Sequence, residues 1–364
     1  MKSLTTVLES AVTPLYESLL DDEDKILSQT ANNIKKSIKL FLKENYSNAS
    51  SCKISKEPNK DGKYVVNVSK NIVCKSDYDH ITNGHFVFGK IDGDFVSVHN
   101  DKLVSLEGAP EYVGGTFHLS NCKNLTSLEG APEYVGGDFE CFYCENLISL
   151  KGCPKEVKSF ECFGCGILSL QNCPSIINDD FICSHCDRLT SIVGVPAEIH
   201  GNFQCTFCKN LISLEGAPKK VLRDFYCGHN DKLVSLKGCP KNVPGNFSCS
   251  WSENLTSLKE GPKHVGGYYE CSNCTITDLK GMAKEIGGDV MCSSCKNLTS
   301  LIGLPDQVNG DLHLDHCSKL TLNSLDQLPS HISKKLYLDS SLEKDSKAIK
   351  RKTKAKRIEF WKNY

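Results

Sequence analysis

The chain has 364 residues, of which 39% are hydrophobic, with three methionines and two tryptophans but 27 glycines and 21 cysteines. Large apolar side chains are too few for one big three-dimensional core, and single cores rarely grow past roughly 250–300 residues. The 43 basic and 44 acidic residues nearly cancel, which excludes a global electrostatic commitment to nucleic acid or to anionic membrane.

Residues 1–50 carry a helical pattern. Ile26, Leu27, Ala31, Ile34, Ile38, Phe41 and Leu42 recur at three- and four-residue spacing, which places them on one helix face. Asp22 is the expected N-cap, in an acidic run from Asp21 to Asp24, and Lys35, Lys36, Lys39 and Lys43 lie toward the other end, as a helix dipole favours. The reading is a helical cap or docking segment. No run of 18 apolar residues occurs and a secretory leader pattern is missing, so a soluble cytoplasmic protein with no membrane partner is expected. In that reducing compartment thiols stay free.

Residues 51–93 hold strand-like runs at Tyr64–Val68 and His85–Phe88 and a turn signal at Asp61-Gly62, read as a β cap. Val66, Val68, Asn71 and Ile72 resemble a degenerate coil of the repeat that follows.

From 94 to 335 one period governs the chain. Phe95, Phe117, Phe139, Phe160, Phe181, Phe203, Phe225, Phe247, Tyr269, Val290 and Leu312 open units spaced 21 or 22 residues apart. Each unit follows F-x-C-x-x-C-x-N-L-x-S-L-x-G-x-P-x-x-V-x-G-[DN], and ten of the thirteen prolines share one column, from Pro110 to Pro329. A fixed period of this length signals stacked units that bury little each and bury it often. The alternation at the opening is that of a short strand. Glycine and proline forbid a regular helix later in the unit, so the return should be extended or turn-like. The expectation is a repeat solenoid of about eleven coils with one parallel β-sheet.

The pattern resembles the leucine-rich repeat, with L-x-L-x-x-[NC]-x-L mapping onto Phe139, Cys141, Cys144 and, after one extra residue, Leu147. It is most similar to short bacterial-type repeats with a recurring N-L-T-S-L, of the kind encoded by large tailed phages. The resemblance implies partner binding and, by analogy, a host-directed or counter-defence role in a host cytoplasm.

Six C-x-x-C pairs, among them Cys141/Cys144 and Cys183/Cys186, would suit zinc or iron if adjacent coils pooled four thiolates. The second-cysteine column, however, also holds Asn100, Asn230 and Ser252. A thiolate ligand set would not exchange with amides, whereas inward side chains bonding neighbouring backbone would. The cysteines therefore read as structural ladders, and no cofactor is expected; metal or redox chemistry is the alternative. The column before each strand (Asp94, Asp138, Asp180, Asp224 and their equivalents) reads as bonding turn amides, with calcium as its alternative.

Nucleotide-loop, zinc-protease and hydrolase-elbow motifs do not occur, so the chain reads as a non-enzymatic interaction protein. The candidate partner-binding residues are Phe142, Tyr143, Phe163, His185, Phe207, Tyr226, His229 and Trp251, expected on the concave strand face, where aromatic rings make good anchors for a protein partner. Residues 336–364 read as a C-terminal cap and basic tail. Its lysines and arginines from Lys344 to Lys362 are a candidate nucleic-acid contact, although a solvated helix with its apolar residues folded back is the favoured reading.

Overall fold

A computed structural model describes residues 4–75, 81–82 and 84–361, with side chains from residue 25 onward. The repeat folds as a parallel β-solenoid of about thirteen coils. In each coil a strand of two to four residues, such as Phe139–Phe142 or Phe203–Gln204, pairs in register with the same strand of its neighbours, so Phe117, Phe139, Phe160 and Phe181 stand side by side. The period of two sends the first and third side chains inward and the second and fourth outward.

In-register stacking turns every inward position into a column one side chain wide. From Phe95 through Phe247 the phenyl rings lie 4.9 to 6.1 Å apart. Cysteine columns and paired leucines such as Leu147 and Leu150 complete the buried section. This explains the composition: a filament-shaped core needs a few large side chains per coil and small ones elsewhere.

Two expectations need correction. The return path is extended as expected, but it also pairs, so there is more than one sheet: Glu156–Val157 and Ile176–Ile177 form a second, narrower parallel ladder, with its valine or isoleucine buried. The buried residue is the V of the P-x-x-V column, a β-branched side chain once per period. The strand pairing also extends past both ends of 94–335. Ile72–Cys74 pairs with Phe95–Val98, and His331–Asp339 spans both ladders, matching Ile332 to Val308 and Leu336 to Leu312.

The segment expected as a C-terminal cap and basic tail thus adds one more strand to the stack. After His331–Asp339 come a short helix, Ser346–Lys352, and the strand Lys354–Trp361, paired to the former. Ile349 is fully buried, and Lys335 and Arg357 each pair with Glu359, at 3.1 and 3.2 Å. Lys352 pairs with Asp326.

At the other end one helix, α1, runs Leu4–Asn45. It does not start at Asp22, which lies well inside it. Ile38, Leu42 and Tyr46 are buried, Phe41 meets Phe86 edge-on at 5.9 Å, and Tyr46 meets Phe88 at 5.4 Å. Ile26 and Leu27, expected on the docked face, are 62% and 66% exposed. The reason is geometric: 42 residues of helix are about 63 Å long, and the end of the solenoid is only one coil wide.

Candidate binding face

After each main strand the chain must turn sharply to bring the second cysteine column inward. It does so through one residue in left-handed conformation. The corner holds His99, Asn121, Tyr143, Gly164, His185, Phe207, His229, Trp251, Asn273, Ser294 and His316, with φ from +53° to +66°. Asn and His tolerate this region comparatively well, glycine freely, and bulky side chains poorly; a β-branched residue does not occur in the column. Tyr143, His185, Phe207, His229 and Trp251, expected on strands, are therefore corner residues. Their direction is set by the turn, not by the pleat.

Because the corners repeat with the coil, their side chains meet. Tyr143 lies edge-on to Phe163 at 5.2 Å, Phe163 lies 4.6 Å from His185, and His185 stacks on Phe207 at 4.3 Å. Phe207 stacks on His229 at 4.0 Å and His229 on Trp251 at 5.6 Å. Six of the eight candidate residues thus form one continuous ring ladder, about 24 Å long over five coil steps. Phe163 comes from the strand and fills in where the corner is Gly164; a Cβ there would sit 2.7 Å from the Tyr143 ring. Tyr143, Phe207 and Trp251 remain 48%, 36% and 49% exposed.

The other two candidates flank the ladder. Phe142 meets His118 edge-on at 5.3 Å, and His118 pairs with Glu140 at 2.5 Å. The Tyr226 hydroxyl donates to Asp224 at 2.7 Å and lies 3.4 Å from the Tyr268 hydroxyl, two coils away. Burial and these two hydrogen-bond partners push the Tyr226 phenol upward. Between this tyrosine pair and the rings of Phe207, His229 and Trp251 lies a concavity of about 270 Å³, with Gly228, Ser248 and Ser250 among its lining residues. Glu270 also lines it and accepts from Ser248 at 2.8 Å. Tyr268 and Glu270 were not singled out from the sequence, although an aromatic residue in the otherwise polar Asp94–Asp311 column was a legible signal.

Farther along the face, Glu161 stands beside Glu140 in register. Burial and the neighbouring Glu140, Asp138 and Asp180 carboxylates raise its carboxyl above the ordinary range. A larger concavity, about 630 Å³, lies away from the ladder beside the narrow sheet, at Gly266, Gly287 and the His264–Glu285 pair.

The thiols face the other way. The cysteines from Cys122 to Cys317 are free, and most are fully buried. Second-column sulfurs lie close to first-column carbonyls of the preceding coil: Cys165 to Cys141 at 3.2 Å, Cys186 to Cys162 at 3.4 Å, Cys317 to Cys292 at 3.1 Å. Asn230 makes the same contact with an amide, to Cys205 at 2.9 Å. Burial pushes the Cys227 and Cys239 thiols upward, while within the C-x-x-C pairs the directions split, Cys183 raised and Cys186 lowered by contacts with neighbouring thiols. The aspartate column is likewise occupied by backbone, one coil on and not within its own turn. Asp94, Asp180, Asp224 and Asp289 accept the amides of Thr116, Asn202, Asn246 and Asp311 at 2.6 to 2.8 Å. Among the described residues no group of three or more His, Cys, Asp or Glu side chains gathers in a way that could hold a metal ion, and no helix is long and apolar enough to cross a membrane.

No protein-family model, curated protein or solved structure matches this chain.

Proposed function

We propose that the protein is a non-enzymatic binding scaffold that grips a protein partner on the outward ring ladder and its flanking tyrosines. The observation that supports this best is the ladder itself. Tyr143, Phe207 and Trp251 hold left-handed backbone, with φ of +54° to +57°, at positions that bulky side chains disfavour and where the fold accepts Asn, Ser or Gly in other coils. Local strain without a structural need is what binding anchors show. The repeat's resemblance to phage-encoded arrays makes a bacterial host protein the first partner class to test, in a reducing cytoplasm where the buried thiols stay free.

The test is affinity capture from the native host with the intact chain, with a Tyr143→Asn/Trp251→Asn double variant, and with a control changed at Lys151, which pairs with Glu129 away from the ladder. Loss of the captured protein in the double variant alone is the expected outcome. Equal capture by all three removes the ladder as the binding surface.

A further inference from the structure

Trp251 ends the ring ladder, and its two faces differ. One lies nearly parallel to the His229 ring, at 9° and 5.6 Å. The other looks along the solenoid toward the next coils, where the corner residue shrinks to Asn273 and then Ser294. Among the described residues no ring covers that face, and the indole residue is 49% exposed. It borders a concavity of about 320 Å³ whose lining includes Glu253, Asn254, Asn273, Ser294 and Lys296.

The lining restricts what can rest on the indole. An aromatic ring face favours C–H groups and cations. The one acidic and one basic side chain in the lining, Glu253 and Lys296, offset each other, so neither a cation nor an anion is favoured. What remains is neutral polarity, with amides and the hydroxyls of Thr275 and Ser294 that offer both donors and acceptors. The Asn254 amide nitrogen is tied to the Asp231 carbonyl at 2.6 Å, leaving its oxygen as an acceptor. Asn297, also in the lining, accepts from Lys319 at 2.7 Å, leaving its nitrogen as a donor.

A purely apolar aromatic side chain seated here would strand these groups. A nucleotide would need its phosphate charge met by more than one lysine. A pyranose satisfies both requirements: its C–H face lies on the indole, and its equatorial hydroxyls, each donor and acceptor, meet the amides around the rim.

We infer that this concavity is a carbohydrate subsite, binding one pyranose ring stacked on the outer face of Trp251. It goes beyond the protein-binding reading and does not depend on it.

The experiment uses the full chain carrying Trp361→Phe, so that Trp251 is the sole tryptophan. Methyl β-glucoside, methyl β-galactoside, methyl α-mannoside and the β-linked trimers of glucose and N-acetylglucosamine are titrated while Trp251 emission is recorded. At least one sugar is expected to give a saturable emission change. Asn273→Phe, which lays the protein's own ring over the indole, is expected to weaken that binding about tenfold or more. The variant should fold, since Phe207 already occupies the same corner at φ +56°, and circular dichroism checks that it does. The inference is overturned if no sugar saturates, if Asn273→Phe binds like the parent, or if adenosine or acetyl-arginine amide is bound in place of every sugar. Partner capture that survives Asn273→Phe while sugar binding is lost separates this site from the protein-binding face.

Discussion

Tyr143 and Gly152 lie nine residues apart in one coil, and both turn the chain through positive φ, at +54° and +97°. At the glycine corner the preceding coil presses against the backbone: a Cβ on Gly152 would sit 2.1 Å from the Leu128 carbonyl oxygen. The column is glycine in most coils, with φ from +87° to +116°, and its two exceptions, Asn172 and Glu260, fall back to +65° and +67°. At the ring corner φ stays near +55° and the side chain points to solvent, so Asn, Ser, His and Trp all fit. Crowding by the neighbouring coil decides identity at one corner; at the other the fold leaves the choice open, and ring residues accumulate where nothing in the packing asks for them.

The strongest way to break that contrast is to add one methyl at each corner. Gly152→Ala must place its Cβ into the Leu128 carbonyl at a strained φ, and should cost about 2–4 kcal/mol. Gly164→Ala meets only the Tyr143 ring, a side chain able to swing aside, in the ordinary left-handed well, and should cost about 1 kcal/mol. Urea midpoints of the two variants decide the matter; equal losses would mean that the corners are alike.

Next in size is the inward column that accepts three residue types. Asn230 donates to the carbonyls of Cys205 and Cys227, each at 2.9 Å, and accepts the Cys208 amide at 2.8 Å. Asn230→Ala leaves all three buried groups without it and should destabilise by about 2–3 kcal/mol. Asn230→Cys restores the sulfur-to-carbonyl contact of the other coils and should recover part of the loss. If the cysteine variant is no better than alanine, this column is not held by its carbonyl contact.

This column shows how much of the molecule was legible beforehand. Exchange of Cys for Asn and Ser pointed to backbone bonding; the sulfur distances and Asn230 agree, whereas the buried polar side-chain atoms of Asn100 and Ser252 have no hydrogen-bond partner among the described residues. The period placed the phenylalanine and leucine columns without further help. The second ladder was missed because two residues are too few for an alternation to show, and its one buried Val or Ile reads equally well as a loop anchor. At the ends, a coil stripped of its consensus keeps its pairing geometry: Ile72 pairs with Phe95, where a degenerate coil was expected, and Leu336 and Ile358 carry the register with none of the cysteines. Of the candidate site, the residue types were visible but not their order. That Tyr143, Phe163, His185, Phe207, His229 and Trp251 form one stack depends on a backbone corner whose left-handedness no single coil announces. Tyr268 reaches the face from a column that looked structural, and Glu270 from the outward strand column that also holds Tyr226.

A smaller effect of opposite sign tests the inward columns from another side. Tyr269 takes the place held by phenylalanine in the preceding coils, and its buried hydroxyl has no hydrogen-bond partner among the described residues. Tyr269→Phe removes that group at little change in shape and should stabilise by about 1 kcal/mol, seen as a rise in melting temperature. A fall would show that the hydroxyl is satisfied.

The smallest expected change in stability is at Trp251, where it carries the most information. Replacing the indole by Asn, the residue found at this corner in Asn121 and Asn273, loses one stacking contact with His229 and relieves a bulky side chain in the left-handed region. The two terms oppose each other at about 1 kcal/mol apiece. The urea midpoint of Trp251→Asn should therefore lie within error of the parent, while partner capture is lost. A residue that held the solenoid together could not behave this way. A clear drop in stability would instead place Trp251 among the packing columns and return the ring ladder to structure; an unchanged midpoint with lost capture would separate the ring corner, which serves what binds, from the glycine corner, which serves the stack.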